Sequence, residues 1–111
     1  MTGVLHGLVV IDCSWGVAGP VATMILADNG ARVTRIEPPR GDPFARGAGV
    51  WHRGKRRAVI DLGDPEGAEA FRRLALAADV VVETFSPGTM ERLGLSYEAL
   101  APDNPGLVWC S

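Results

Sequence analysis

The residues best placed to do chemistry fall in three stretches. The first is Glu83-Thr-Phe-Ser-Pro-Gly-Thr-Met-Glu-Arg92, which follows an apolar run and ends on an arginine. Phe85, just past a strand end, can pack on the face of an adenine, and Arg92 can fork onto phosphate oxygens. The alternative has Phe85 plugging the sheet and Arg92 pairing with Glu91 or a neighbour. The second stretch is Trp15-Gly-Val-Ala-Gly-Pro20, at a strand-to-helix turn. Glycines there admit a ligand to the backbone, and the N–H groups of a helix start attract anions; otherwise the glycines only permit a tight turn. The full Gly-x-Gly-x-x-Gly pattern is absent and Pro20 removes one donor, which makes a dinucleotide fingerprint weak. Glu37, at the end of a second strand, nevertheless stands where NAD-binding proteins place their ribose acid. The third stretch is residues 40–57, with six of the eleven Lys and Arg residues (Arg40, Arg46, Arg53, Lys55, Arg56, Arg57) against one acid, Asp42. It reads either as a solvated loop or as an attractor of a multiply phosphorylated ligand. Trp51 and His52 beside Arg53 also suit single-stranded nucleic acid, but a net charge of -2 argues against that partner.

No nucleophile stands in a motif with a base. Ser14, Ser86, Ser96 and Ser111 lack such a context, and only His6 and His52 offer imidazoles. Asp12 ends the first strand and is either a general base or a structural acid accepting turn N–H bonds, the second being the better fit. Cys13 and Cys110 each lie in an apolar run, which predicts buried reduced thiols. There is no Cys-x-x-Cys pair, and the two histidines are far apart, so no metal site is expected. From residue chemistry alone the chain reads as a nucleotide-binding half without a reaction centre, and no catalytic residue is assigned.

Alternating elements position these residues. Leu8–Ile11 is a continuous β-branched run, hence a strand buried on both faces. A helix over Val21–Asp28 follows, with Pro20 in its first turn and Asn29-Gly30 as its stop. It is apolar nearly all round, so it should lie against protein on most sides. Arg32–Glu37 alternates and is a second strand, ended by Pro38-Pro39. Ala58–Leu62 is a third strand. Asp64-Pro65-Glu66 opens a helix with an apolar stripe of Ala68, Phe71, Leu74, Leu76 and Ala77. Asp79–Glu83 is a fourth strand, buried on both sides; Met90–Leu93 and Ser96–Leu100 are short helices; Leu107–Cys110 is a fifth strand. Strands alternating with helices predict an α/β fold with a parallel sheet. The last strand has no crossover after it, so it is an edge or was followed by more polypeptide; a piece of a larger chain is the expectation.

Of the 111 residues, 47% are hydrophobic and 22% charged, which suits one folded domain or part of one. No apolar run reaches the roughly 18 residues of a membrane span, and the N-terminus lacks a signal-peptide pattern. A cytoplasmic location, with no membrane or nucleic-acid partner, is expected.

The ordered pieces Leu5-His-Gly-Leu-Val-Val-Ile-Asp12, Ala18-Gly-Pro20, Gly30-Ala-Arg-Val33, Ile36-Glu-Pro-Pro-Arg-Gly-Asp-Pro43, Lys55-Arg56, Asp64-Pro-Glu-Gly67, Ala78-Asp-Val-Val-Val-Glu83, Phe85, Pro87-Gly88, Glu91-Arg-Leu-Gly-Leu95 and Asn104-Pro105 span nearly the whole chain. Together they resemble the N-terminal part of the family III coenzyme A transferases, which include formyl-CoA transferases, carnitine CoA-transferases and α-methylacyl-CoA racemases. The resemblance implies that residues 1–111 form a Rossmann-like segment, a parallel sheet with flanking helices that binds coenzyme A at its strand ends. It implies acyl-CoA and a carboxylic acid as reactants, and interlocked homodimers for the full chains. Transferases in the family carry an acyl group on an aspartate as a mixed anhydride, and racemases use a His and Asp pair. Those residues correspond to positions beyond Ser111, so the segment alone is expected to be inactive without a complementary C-terminal segment. A non-catalytic coenzyme-binding or assembly module is the rival. By the resemblance, Gly16 and Val17 line the coenzyme and acyl end, Ile60, Thr84 and Phe85 surround the nucleotide, and Arg92 contacts phosphate. Val17 replaces a glutamine of formyl-CoA transferases, which speaks against an oxalate- or formate-type substrate. Pro38 stands where some members keep an arginine, with Arg40 near enough to substitute. Gly63 and Gly54 replace a lysine and an asparagine.

Overall fold

A computed structural model describes residues 3–43 and 48–111. Arg46, one of the basic residues of the loop, lies outside the described residues. Five parallel strands, β1 (Val9–Cys13), β2 (Arg32–Glu37), β3 (Arg56–Val59), β4 (Val80–Glu83) and β5 (Val108–Cys110), form a sheet in the order β3-β2-β1-β4-β5. The continuous apolar strands β1 and β4 occupy the interior of the sheet, as runs buried on both faces must. β3 and β5 are the outer strands of the described sheet.

Because strand side chains alternate between faces, β1 feeds two cores. Ile11 and Cys13 join a cluster with Phe71, Ala75, Val81, Leu100 and Leu107. Val10 joins Val33 and Val82, packed against Leu26 and Ala27 of α1 (Ala18–Asp28). Asp12 has the parity of Val10 and therefore faces α1. The first cluster is covered by α2 (Pro65–Leu76), α3 (Thr89–Arg92) and α4 (Tyr97–Leu100). On α2 the stripe is Ala68, Phe71, Leu74 and Ala75, with Phe71 and Ala75 fully buried; Ala77 caps the helix and is exposed. Asp64 has the extended backbone of an N-cap, yet its side chain makes no capping bond. Asn104 finishes the other end, donating from Nδ2 to the carbonyls of Ala75 and Ala78.

Three expectations need correction. The helix α1 buries only Gly19, Pro20 and Thr23, and Val17 and Ile25 at its start and middle are 61% and 51% exposed. Val21, Met24, Leu26 and Ala27 are half-buried, the last two against the Val10 cluster, so this chain covers the helix only in part. The third strand runs four residues from Arg56 instead of from Ala58 to Leu62. Ile60 still bonds back to Glu37, but Asp61 then turns the chain by accepting the Gly63 N–H, which sends Ile60 and Leu62 into a cleft wall. Finally, Cys13 is buried as expected, whereas Cys110 on the edge strand is exposed. Burial, aided by the negative charge of Asp12, pushes the Cys13 thiol far above its ordinary pKa. Titration of the folded chain with Ellman's reagent should therefore release one thiolate per chain quickly, from Cys110, and the second only after denaturation. Rapid reaction of both thiols would contradict the burial of Cys13.

Candidate functional site

The carboxyl ends of β1, β2, β3 and β4 open into a cleft of about 500 Å³. Cys13 and Trp15 come from the end of β1 and its turn, Ile60 and Leu62 from beyond β3, Thr84 and Phe85 from beyond β4, and Thr89 and Leu93 from α3 and its end. A second cleft of about 470 Å³ lies alongside, bounded by Pro39, Arg40, Gly41 and Pro43. Both clefts share Trp15, Pro38 and Asp61 as lining. Strand ends of an open parallel sheet are where such folds place ligands.

The aromatic wall is held from behind. The Phe85 ring meets the Trp15 ring edge-on at a centroid distance of 5.2 Å. Buried Glu83 accepts the Phe85 N–H at 2.9 Å with one carboxylate oxygen and the Trp109 indole N–H at 3.3 Å with the other. The Thr84 hydroxyl accepts from the Trp15 N–H at 2.8 Å and donates to the Trp15 carbonyl at 3.3 Å. Thr84 thus braces Trp15, which the sequence marks only as the first residue of the candidate turn, with no ligand role of its own.

Ile60, Thr84 and Phe85 are brought together on one cleft, and Arg40 lines its neighbour. Arg92 is exposed, donates to Thr89 Oγ1 at 3.2 Å and lines neither cleft, although Thr89 lines the first. Gly16 and Val17 share the Trp15 turn but line neither cleft; Gly16 has φ 83° and Val17 stands at the N-cap of α1.

Of the described basic residues in this stretch, only Lys55 turns inward. Lys55 Nζ is fully buried and donates to Asp12 Oδ2 at 2.9 Å and to the Pro20 carbonyl at 3.0 Å. Arg57 pairs with Glu37 at 2.8 Å, and Arg53 with Asp28 at 2.7 Å across the surface. These three cations have protein partners, the Arg53 and Arg57 pairs lying on the surface, and Arg40 lines the second cleft. The Arg57 contact likewise engages the carboxylate that an NAD ribose would need.

Asp12 is the hub of the buried charge. It accepts from the N–H of Ser14 at 2.9 Å, from the Ser14 hydroxyl, and from Thr23 Oγ1 at 2.7 Å, in addition to Lys55. Arg35, its register partner on β2, sits 3.5 Å away, donates to the Ser14 carbonyl, and reaches Asp42. Burial pushes the Asp12 carboxyl up, but the hydrogen bonds from Ser14, Thr23 and Lys55 outweigh it and hold the pKa below the ordinary value. Burial in turn lowers Lys55, with Asp12 opposing. His52 is lowered by burial and by the nearby Arg35 and Lys55. Asp12 is therefore the structural acid and not an available base. Among the described residues no cluster of three or more His, Cys, Asp or Glu is set to hold a metal, and no helix is long and apolar enough to cross a membrane.

The sequence pattern of CoA-transferase family III matches residues 5–111. The chain belongs to this family. The succinyl-CoA:mesaconate CoA-transferase of Haloarcula hispanica is 43% identical over 124 residues, covering 98% of this chain and 31% of that protein. The alpha-methylacyl-CoA racemase of Homo sapiens is 43% identical over 107 residues, covering 95% of this chain and 27% of its own length. A crystal structure of a CAIB/BAIF family protein from Brucella suis superposes with a TM-score of 0.92 at 36% identity, covering 100% of this chain and 33% of that one. The family III chain thus spans about a third of the length of these relatives. Its strand-tip clefts are formed within that third.

Proposed function

We propose that this chain is the coenzyme A-binding segment of a family III transferase that moves coenzyme A between carboxylic acids. The observation that carries the reading is the cleft at the strand tips, with Ile60, Thr84 and Phe85 on its wall and Arg40 in the adjoining cleft; Arg92 bonds to Thr89 of the wall. An apolar and aromatic cleft with cations at its margins suits an adenosine bearing phosphates. Gly16 and Val17, on the turn beyond Trp15, would meet the acyl end. The reacting carboxylate would come from polypeptide outside this chain, so the segment binds but does not turn over. The uncovered apolar side chains of α1, Val17 and Ile25, fit burial by such a segment or by the second subunit of a homodimer. The free thiols fit a reducing, cytoplasmic setting. A racemase-type role is the second reading, since the 43% identity to the human racemase equals that to the Haloarcula hispanica transferase.

Calorimetry on the 111-residue chain tests this directly. Coenzyme A should bind more tightly than NAD, and no acyl transfer should be detected with acyl-CoA and a carboxylic acid. Tighter binding of NAD would overturn the coenzyme reading, and turnover would overturn the proposed inactivity.

A further inference from the structure

The buried charge cluster lies on the α1 face of the sheet and lines neither cleft, and the Asp12, Arg35 and Lys55 side chains are all 0% exposed. Burying ions for stability alone is inefficient, because apolar residues of similar size often do as well or better. What this cluster contributes is fixed geometry. It grips both ends of one turn. At the near end Asp12 holds the Ser14 N–H and hydroxyl while Arg35 holds the Ser14 carbonyl. At the far end Lys55 holds the Pro20 carbonyl and Asp12 holds Thr23. Between these anchors lie Trp15, Gly16 and Val17. The turn closes so tightly that a Cβ on Gly19 would collide with the Ser14 side chain. The same cluster tethers the basic loop twice, through Arg35 to Asp42 and through Lys55 itself.

We propose that Lys55 is a positioning residue for the ligand cleft: with Asp12 and Arg35 it clamps the Ser14–Pro20 turn, and with it the chain at Asp42 and at Lys55 itself, in the geometry that receives ligand. Lys55 touches no ligand and acts through Trp15 and the loop. A supporting shell of this kind is what keeps a site within the tolerance that binding needs. The inference rests on the coenzyme reading only for the identity of the ligand.

The test compares the 111-residue chain with Lys55→Met, Thr23→Val and Leu100→Ala. Leu100 is buried in the core shared with Phe71 and lines neither cleft, so its truncation reports lost stability alone. Hydrogen exchange is followed at Ser14, Trp15 and Val21, whose N–H groups are bonded within or across the turn, and at Val81 and Val82 in β4. In Lys55→Met, exchange at the turn should rise about tenfold more than in β4, and the coenzyme A dissociation constant about tenfold. Thr23→Val, which removes only one donor to Asp12, should shift both in the same direction by about threefold, and it decides the matter if Lys55→Met fails to fold. Leu100→Ala should lower the melting temperature and do neither. A common acceleration of all amides would overturn the clamp, as would an affinity loss no larger than that of Leu100→Ala. If the wild-type chain binds no coenzyme A, the ligand reading fails and the exchange comparison alone decides the positioning role.

Discussion

Replacing Asp12 with alanine should lower the unfolding free energy by about 3–5 kcal/mol, because it strands buried cations. Asp12 satisfies Lys55, Thr23 and both donors of Ser14, and it faces Arg35 at 3.5 Å. Arg35 keeps Asp42 as a partner, but among the described residues the fully buried Lys55 ammonium keeps only the Pro20 carbonyl. A domain of this size has about 5–15 kcal/mol in total, so the loss is a large share of it. Denaturant titration should show the midpoint fall with the slope preserved. The double variant Asp12→Ala with Lys55→Met should recover at least half of the loss, since removing both charges abolishes the stranded ion. A loss below about 1 kcal/mol for Asp12→Ala would mean the pair behaves as an exposed one.

The same residue sets an acid limit. Its pKa in the folded chain is lower than in the unfolded chain. Its contribution is therefore present above the unfolded value of about 3.9 and is lost as pH falls through the lower folded value. Acid unfolding of the wild type should steepen below about pH 4, and Asp12→Ala combined with Lys55→Met should flatten that part of the curve. Lys55 runs the other way: its folded pKa is depressed, so its charged form opposes folding at neutral pH and that opposition fades as pH rises through the folded value.

The parallel sheet was legible because its signals are local. β1 and β4 are β-branched runs too apolar for any face to be exposed, Pro38-Pro39 stops β2, and Pro65 starts α2. Phe85 could be placed at the cleft from its position just past a strand end, whereas Ile60 and Thr84 are assigned by family resemblance alone. What could not be read was pairing across distance. Lys55 and Arg57 look like loop cations until the register sets β3 beside β2, and the partners of Lys55 are 43 and 35 residues away. One clue was present: Asp12 closes an apolar run, where an acid must find donors, and β2 offers Arg35 at the opposing register position. Cys110 misled for the complementary reason. Its apolar neighbours mark a strand, but whether a strand is central or an edge depends on sheet order, which local composition does not encode.

Phe85→Ala should weaken coenzyme A binding about 5- to 150-fold, the equivalent of about 1–3 kcal/mol for loss of one stacked base. Phe85 is half-buried and its N–H is pinned by Glu83, so its ring is presented to the cleft at little entropic cost. The ring also packs against the larger core and against Trp15, so some stability will be lost with it. Adenosine 3′,5′-bisphosphate and pantetheine separate the two effects. If Phe85 carries the nucleotide, the bisphosphate should lose affinity in the same proportion as coenzyme A, and pantetheine should lose little. Equal losses for both halves would trace the effect to a collapsed cleft, and an effect on pantetheine alone would reverse the orientation, placing the acyl arm where the adenine has been put. Phe85→Leu provides the intermediate case: it refills most of the apolar volume without a π-face, so it should restore stability more than affinity.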